Sequence, residues 1–204
     1  MQRIHARAGL IALALALAAL PAAAFDDASA RAFADSVVRA GDAGGRAFAI
    51  VDKPGATVWV FDRQGQLLER SAVLVGQAPG DVAPPDIGTR PLSKVRPSEK
   101  ITAAGRYVTE PGRNAQGEDI VWLDYDAALS MHRVRNVPGE HRPERLRTPG
   151  TADKRISFGC INVPTRFYDR RIDPLFARSS GVVYVLPETR APGELFGFAA
   201  GLNR

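Results

Sequence analysis

Residues 46–62, RAFAIVDKPGATVWVFD, are the stretch that indicates a β fold. Two apolar runs, 46–52 and 56–62, are rich in the β-branched and aromatic side chains that suit strands. The sequence KPG at 53–55 separates them, and proline and glycine supply the backbone angles that a tight turn needs. We therefore predict a β-hairpin here.

Further strand-like runs follow this hairpin. They occupy residues 67–75, 105–109, 120–125, 128–134 and 181–186. On the N-terminal side, residues 26–41 instead place Phe33 and Val37 four residues apart, which predicts a short amphipathic helix ending near Gly41. The predicted fold class is mostly β, built from short strands.

Two long stretches lack any regular pattern. Residues 77–98 contain five prolines, and residues 135–154 are rich in arginine, proline and glycine. Structureless segments longer than about 12–15 residues are usually functional or disordered in a compact domain. The second stretch separates a histidine from the only cysteine, so we expect it to lie near a functional site. Whether the first stretch folds over that site as a lid is left open.

The first 24 residues have the features of an export signal. Arg3 and Arg7 form a basic start, residues 10–20 are an unbroken Ala/Leu/Ile run, and AAA at 22–24 suits cleavage before Phe25. The run is too short to span a bilayer comfortably, so no stable membrane insertion is expected after cleavage. We predict a periplasmic protein with a signal peptide at 1–24, a helical segment at 25–45, a main domain at 46–190 and a tail at 191–204.

The net charge gives no indication of nucleic-acid binding. It falls from +5 to +3 on removal of residues 1–24, because Arg3 and Arg7 are lost and no acidic residue is. An excess this small does not argue for nucleic acid. It would suit anionic peptides or polymers of the cell envelope, and a merely solvated surface explains it equally well.

Cys160 is the only cysteine of the chain. A lone thiol outside the cytosol has no disulfide partner and is open to oxidation, so its retention indicates a reactive role. A reactive thiol needs a base, a group that orients the base, and backbone donors for an oxyanion. His132 and His141 are the histidines available after residue 24. We favour His132, because it ends a strand-like run whereas His141 reads as a loop tip.

The neighbours of Cys160 fit a turn that exposes a nucleophile. Gly159 permits unusual dihedral angles and close backbone approach, and Ser157 is near enough to orient the imidazole or the thiol through its hydroxyl. Pro164 suits the first turn of a helix that continues through Phe167 and Ile172. Cys160 is therefore predicted on a connection between a strand and a helix.

Residues 157–162, SFGCIN, preceded by the strand-borne His132, resemble the active-site signature of the L,D-transpeptidase catalytic domain, the YkuD family. Weaker similarities cover most of the remaining domain. Residues 47–60 resemble the opening hairpin of the family, VLVG at 73–76 its strand ending in glycine, and TAAGRY at 102–107 its Thr-Pro-x-Gly segment.

This resemblance implies a twisted β-sandwich or barrel with a few short helices, and a peptidoglycan peptide stem as substrate. In the family, the cysteine attacks the carbonyl of diaminopimelate in a tetrapeptide stem, expels D-alanine and forms a thioester. An amine of another stem, a lysine of an envelope lipoprotein, or water then takes the acyl group. Here Cys160 would be the nucleophile, His132 the general base, Ser157 the orienting group, and the N–H groups of Gly159 and Cys160 the oxyanion donors. No cofactor and no metal is implied.

This chain departs from the family pattern in three places. Phe158 stands where the family has a second histidine, and Ala103 stands where proline is usual. The interval from His132 to Ser157 is longer than the family shows, and His141 comes nearer to the usual spacing. Two function classes therefore stay open: a periplasmic acyltransferase, or a non-catalytic peptidoglycan-binding or scaffold protein that has kept the fold.

Arg133, Arg155 and Asn162 are the predicted substrate contacts. Arginine grips carboxylates through paired hydrogen bonds, and some arginines near the site could clamp those of a peptide stem. The arginines between residues 133 and 155 are otherwise explained as a solvated loop. A zinc site formed by Cys160, His132 and His141 is disfavoured because the three residues lack the pair spacing of structural zinc ligands.

Overall fold

The computed structural model describes residues 23–202, and the strands of this part of the chain form three β-sheets. The strands are β1 (Phe48–Asp52), β2 (Thr57–Phe61), β3 (Leu67–Ala72), β4 (Val75–Gly76), β5 (Gly105–Val108), β6 (Glu110–Arg113), β7 (Asp119–Asp124), β8 (Leu129–Arg133), β9 (Arg155–Ser157), β10 (Ile161–Val163) and β11 (Val182–Val185). The α-helices are α1 (Asp27–Ala40), α2 (Arg142–Arg145), α3 (Thr165–Phe167) and α4 (Pro192–Leu195). The prediction of a mostly β fold with a few short helices is confirmed.

Shorter helical pieces complete this description. A π-helix at Tyr168–Ala177 continues α3, and 3-10 turns lie at Leu92–Lys94, Pro97–Glu99, Ala152–Lys154 and Gly197–Ala199. The predicted export signal at residues 1–24 lies outside the described residues, except for Ala23 and Ala24. Within residues 23–202, no helix is both long enough and apolar enough to cross a membrane.

The predicted hairpin forms the middle of a five-stranded sheet with the order β3-β2-β1-β11-β5. β1 pairs antiparallel with β2, with Phe48 opposite Phe61, and parallel with β11, with Phe48 opposite Val182. β1 therefore lies between two paired strands, and every residue of β1 is buried. The hairpin sequence is almost continuously apolar rather than alternating because a core lies on each face of the sheet.

Both faces of this sheet are covered. Ala49, Val58, Val183 and their neighbours face a core shared with the second sheet and the π-helix. Phe48, Trp59, Tyr184 and their neighbours face a second core, built with α1 and the C-terminal segment. Residues 25–45 and the described part of the predicted tail, 191–202, thus pack on the same sheet, as the edge-to-face contact of Phe33 with Phe196 illustrates.

The predicted helix near the N-terminus is present as α1, and local residues define its ends. Asp26 accepts a hydrogen bond from the Ser29 N–H at 2.7 Å, which caps the first turn. Gly41 adopts a left-handed conformation with φ of 63° and ends the helix. Asp27 in the first turn also accepts from the Trp59 indole at 2.8 Å, so the helix is attached to the hairpin.

The second sheet has four strands in the order β10-β8-β7-β6. Val121, Met131 and Ile161 point from its inner face into the shared core. Because side chains alternate along a strand, His132 and its register partner Asn162 lie on the opposite, outer face. Asn162 is fully buried there because chain segments outside the sheet cover it.

Some strand boundaries differ from those predicted. The run at residues 67–75 divides, because the chain crosses to another sheet at Val73 and Leu74, whose N–H groups donate to Ala56 and Asn162 at 2.9 Å. β6 was not predicted, since Pro111 and Gly112 are typical turn residues. Pro111 is tolerated because β6 lies at the sheet edge. Glycine is needed at 112 because a side chain there would meet the Trp122 indole at 2.2 Å.

The prediction that a strand leads through Cys160 directly into a helix is wrong. Cys160 lies between β9 and β10, and the helical segment begins only after β10 and Pro164. β10 is too short, at three residues, for sequence periodicity to identify it. Cys160 is therefore attached to two strands, one in each of two different sheets.

A buried charged cluster ties distant segments together behind this region. The Lys53 ammonium donates to Asp81 at 2.8 Å, to the Thr102 carbonyl at 3.1 Å and to the Gly80 carbonyl, and lies 3.4 Å from Glu188. Its side chain is only 1% exposed. A buried ammonium is tolerated only when it is paired and hydrogen-bonded, and these contacts meet that requirement.

Candidate active site

Cys160 opens into a cleft of about 330 Å³ whose walls come from the two irregular stretches. Residues 77–99, here called the strap, contribute the apolar side chains of Ile87, Leu92 and Val95. Residues 135–154, here called the arginine-rich loop, contribute Arg135, Val137, Glu140 and Arg142. The cleft thus has one apolar wall and one charged wall, with the thiol between them.

Strand β8 brings two polar side chains to this thiol. Ser130 and His132 are two residues apart, so they lie on the same face of the strand. β8 runs parallel to β10, with Met131 opposite Ile161, and this register puts Ser130 beside Cys160. The Ser130 hydroxyl lies 3.4 Å from Cys160 Sγ and donates a hydrogen bond to it.

The imidazole of His132 is held in one tautomer. Its Nδ1 lies 2.8 Å from the carbonyl oxygen of Arg133. A carbonyl can only accept, so Nδ1 carries the hydrogen and Nε2 has a lone pair to offer. His132 lines the same cleft as Cys160, and its imidazole acts to lower the pKa of the Cys160 thiol. The Arg133 carbonyl therefore fixes the tautomer of an imidazole that acts on the thiol.

His141 is placed differently. It is exposed at the start of α2, where its backbone is left-handed with φ of 49°, and it does not line the cleft. Its sequence neighbours Glu140 and Arg142 turn into the cleft instead. The structure thus brings His132 to Cys160 and leaves His141 facing solvent.

The surroundings of Cys160 favour its thiolate. Burial acts to raise the pKa of the Cys160 thiol, but the hydrogen bond and charge of His132, together with the hydroxyl and N–H of Ser130, more than offset this. The pKa of Cys160 therefore lies below its ordinary value. In the neutral form, the thiol donates to the Ala128 carbonyl at 3.4 Å.

Ser157, predicted to orient the imidazole, instead supports the turn before the cysteine. Its hydroxyl accepts from the Gly159 N–H at 3.1 Å, and the side chain is buried. Gly159 has φ of 137°, and a side chain there would come within 2.8 Å of the Ile101 carbonyl oxygen. Glycine is therefore required at 159 by both conformation and space. Its N–H, predicted as an oxyanion donor, is already engaged by Ser157.

Thr102 holds this turn from the other side. Its hydroxyl donates to the Gly159 carbonyl at 2.6 Å and accepts from the Gly76 N–H at 2.8 Å. One buried side chain thereby connects the cysteine turn to the end of β4. The sequence signal for Thr102 was its place in the segment at 102–107 that resembles the family.

Asn162, a predicted substrate contact, lines the cleft but is held by internal hydrogen bonds. Its side-chain oxygen accepts from Arg142 at 3.0 Å, and its side-chain nitrogen donates to the Cys160 carbonyl at 3.1 Å. Arg142 in turn pairs with Glu140. Asn162 thus connects the arginine-rich loop to the cysteine segment.

Neither Arg133 nor Arg155 reaches the cleft, which departs from their predicted role as substrate contacts. Arg133 lies on the other face of β8 from His132, where it pairs with Asp169 at 2.8 Å and covers the Tyr168 ring at 4.2 Å. Arg155 pairs with Glu188. Both arginines are used in packing, because acidic partners distant in sequence lie next to them.

The sequence did not single out Arg135 and Arg142, which line the cleft, or Ser130, which is buried beside the Cys160 thiol. Arg135 and Arg142 were members of a loop explained as solvated, and no local pattern separates them from the other arginines of that loop. Ser130 did carry a signal, since it precedes His132 by two residues on a predicted strand. Alternation alone places a second polar side chain beside the base.

Phe158 presents an aromatic ring to the cleft at the position where the resembling family has a histidine. The Lys100 ammonium lies 3.8 Å from the ring centroid, a cation–π contact. A phenyl ring cannot donate a hydrogen bond to a thiolate. Polar support for Cys160 comes from β8 instead.

The zinc alternative finds no support in the described part of the chain. Among residues 23–202, no group of three or more histidine, cysteine, aspartate or glutamate side chains is arranged to hold a metal ion. His141, the third ligand of that alternative, faces solvent away from the cleft.

The chain shows little similarity to known proteins. No family model and no curated protein matches the chain. Among solved structures, it is similar to the NMR structure of the catalytic domain from E. faecium L,D-transpeptidase. The match is 18% identical, covers 70% of this chain and 98% of that domain, and has a TM-score of 0.37. A likeness this distant supports no functional conclusion.

Proposed function

We propose that this protein is a periplasmic cysteine acyltransferase that acts on peptide stems of peptidoglycan, with Cys160 as the acylated residue. The observation that carries the proposal is the thiol with a lowered pKa, next to an oriented imidazole and at the mouth of a cleft. A thiol activated by histidine is a nucleophile suited to acyl transfer. The resemblance of residues 157–162 to the L,D-transpeptidase signature supports the peptidoglycan substrate.

In the first half of the reaction, Nε2 of His132 removes the thiol proton and Sγ attacks the carbonyl carbon of the stem peptide. The new C–S bond gives a tetrahedral oxyanion. We assign its stabilisation to the Cys160 N–H, because the Gly159 N–H already donates to Ser157. The C–N bond then breaks, the imidazolium returns its proton to the departing D-alanine amine, and a thioester remains on Cys160.

In the second half, an acceptor amine or water attacks the thioester carbon. His132 takes a proton from the acceptor, the C–S bond breaks, and the proton passes to the departing sulfur. A second stem, a lysine of an envelope lipoprotein, or water can play this part chemically, because each offers a lone pair and a proton. Thioesters are receptive to amine attack, which suits a thiol nucleophile to transfer.

The walls of the cleft fit a peptide stem with a free carboxylate. Arg135 is 43% exposed, and its nearest acidic group, Glu118, is 3.7 Å away, so its guanidinium can bind a substrate anion. The charge of Arg142 is already matched by Glu140. We therefore assign the carboxylate contact to Arg135, with small apolar substrate groups packing on the strap.

Intact mass after incubation with a carbapenem tests the catalytic claim, since this class of compound acylates the cysteine of L,D-transpeptidases. We expect one covalent adduct on the wild-type protein, retained in the solvent-facing control His141→Ala and absent in Cys160→Ala. Incubation with a defined tetrapeptide stem, followed by mass analysis of the products, identifies the acceptor. Release of D-alanine is the expected result.

A wild-type protein that stays unmodified by both reagents would overturn the proposal. Binding of purified peptidoglycan by that same unmodified protein would then favour the alternative, a non-catalytic wall-binding or scaffold protein.

A further inference from the structure

Ser130 has one hydrogen-bond partner for its side chain within residues 23–202, and that partner is the reactive sulfur. The residue is 3% exposed, so water cannot readily take the place of this contact. Burying a hydroxyl without a partner is costly, and the Cys160 sulfur is what satisfies it here. The Ser130 hydroxyl is thus the buried donor that the structure places against Cys160 Sγ.

The other neighbours of the sulfur act on different protonation states. The Ala128 carbonyl, 3.4 Å from Sγ, can only accept, so it favours the protonated thiol. A hydroxyl can donate to sulfur in either state, but its hydrogen bond to a thiolate is much the stronger. Removal of the proton therefore weakens the Ala128 contact and strengthens the Ser130 contact.

We propose that Ser130 is a further catalytic residue, whose hydroxyl stabilises the Cys160 thiolate and holds its sulfur facing His132. The catalytic use of this contact rests on the proposed function. The stabilisation of the thiolate does not, because it can be measured without any acyl substrate. It goes beyond the motif around Cys160, since Ser130 belongs to a different strand.

The geometry of β8 makes this support rigid. Ser130 is opposite Trp122 on β7, and Met131 is opposite Ile161 on β10, so the serine is held between two paired strands. His132 follows two residues later on the same face. A shift of β8 by one residue would remove both the base and the hydroxyl from the thiol. The two groups are therefore presented to Cys160 as a unit.

The reaction of Cys160 with iodoacetamide, in which the thiolate displaces iodide and forms a C–S bond, tests this role. The informative pair is Ser130→Thr and Ser130→Val, because threonine and valine have the same shape and differ by the hydroxyl alone. Alkylation rates across pH then report the thiolate fraction. The remaining charged groups around the cleft, His132, Arg135, Glu140 and Arg142, with Lys100 over Phe158, are unchanged in both variants.

We expect Ser130→Thr to keep the wild-type profile, and Ser130→Val to shift it about one pH unit upward. At any pH well below the pKa of Cys160, one unit corresponds to roughly a tenfold loss of alkylation rate. Ser36→Ala serves as the control, since Ser36 is also a buried serine with a hydrogen-bonded hydroxyl, but lies on α1. It should leave the profile unchanged. Circular dichroism establishes that each variant is folded.

Superimposable profiles for the threonine and valine variants would overturn the proposal. If threonine fails to fold, Ser130→Ala against wild type gives the same comparison, and an unshifted alanine profile counts equally against it. A shifted profile in a protein that carbapenem and tetrapeptide leave unmodified would support the role of Ser130 while refuting the acyltransferase function. The two proposals can therefore fail separately.

Discussion

At the residue scale, the chemistry depends on a few contacts around Cys160. The Arg133 carbonyl sets the tautomer of His132, the Ser130 hydroxyl donates to Cys160 Sγ, and Ser157 and Thr102 hold Gly159 in its turn. Each of these contacts depends on one side chain or one backbone group. The reactivity of the thiol is thus sensitive to single substitutions that hardly disturb the core.

Replacement of the base is the most direct test at this scale. We expect His132→Ala to lower the rate of acyl transfer by about a hundredfold or more, because general-base catalysis contributes roughly 10²–10⁴. His141→Ala, the control at an exposed histidine, should keep most of the rate. Initial rates of D-alanine release from a tetrapeptide measure both. Loss of activity in the His141 variant alone would contradict the assignment of the base.

Gly159→Ala should destabilise the protein by about 3 kcal/mol or more, since a side chain at φ of 137° is strained and would in addition meet the Ile101 carbonyl at 2.8 Å. Gly117→Ala is the matched control, because Gly117 also has positive φ, at 79°, but no atom lies within 4 Å of the added carbon. Its cost should be limited to about 1–2 kcal/mol. Urea unfolding measures both. Equal costs would mean that the contact with Ile101 is unimportant.

At the scale of elements, the site is formed by one strand and two irregular segments. β8 supplies Ser130 and His132, the strap supplies an apolar wall, and the arginine-rich loop supplies a charged wall. The strap is held together by its own ion pairs. Glu99 accepts from the Arg90 and Arg96 side chains, each at 2.8 Å, and from the Arg96 N–H at 2.9 Å.

Removing the charge of Glu99 should loosen the strap without unfolding the protein. In Glu99→Gln, we expect faster hydrogen exchange confined to residues 86–99 and roughly two- to fivefold faster alkylation of Cys160, as expected for weakened ion pairs. Glu144→Gln removes the charge from another arginine pair, Arg147–Glu144, which is exposed and outside the strap. That control should leave both measurements unchanged. Unaltered exchange in the strap of the Glu99 variant would show that these pairs do not hold it.

At the scale of the whole molecule, the buried charges around Lys53 connect segments that are far apart in sequence. Asp81 accepts from Lys53, and from the N–H groups of Glu188 and Thr189 at 2.7 and 2.9 Å. Glu188 also pairs with Arg155 at the start of β9. The β1–β2 turn, the strap, the segment after β11 and the cysteine region are thereby connected through one cluster.

Asp81→Asn should lower the free energy of unfolding by about 3 kcal/mol, because it removes one partner of a buried ion pair. Asp119→Asn, at an exposed pair with Arg113, is the control and should cost less than about 1 kcal/mol. Urea unfolding at neutral pH measures both. Equal effects would show that burial adds nothing to the Lys53–Asp81 pair.

The same cluster predicts an acid-sensitive stability. Burial alone would raise the pKa of Asp81, but hydrogen bonds from Lys53 and Thr189 lower it to about 2, from an ordinary value of 3.8. As the pH falls, Asp81 therefore takes up a proton in the unfolded chain before it does so in the folded chain. The contribution of ionised Asp81 to the free energy of unfolding is complete above about pH 4 and is lost as the pH falls toward 2. Asp81→Asn should show a flatter dependence in this range. Unfolding midpoints between pH 2 and 5 test this, and parallel curves for the two proteins would refute it.

The sequence by itself determined the β character and the helix α1, and it singled out Cys160 and His132 as the candidate reactive pair. These features are local: strand alternation, turn residues and caps act within a few neighbouring residues. The same alternation places Ser130 on the face of β8 that carries His132.

Only the tertiary structure decided which partners the charged and polar groups take. Arg155 pairs with Glu188, 33 residues away, and Asn162 accepts from Arg142, 20 residues away, so neither is free to serve substrate as its sequence position suggested. Ser157 bonds to Gly159 rather than to the imidazole. Local patterns cannot specify such contacts, because electrostatic and hydrogen-bond partners are chosen by proximity in the folded chain, and the paths of the strap and the arginine-rich loop depend on long-range packing.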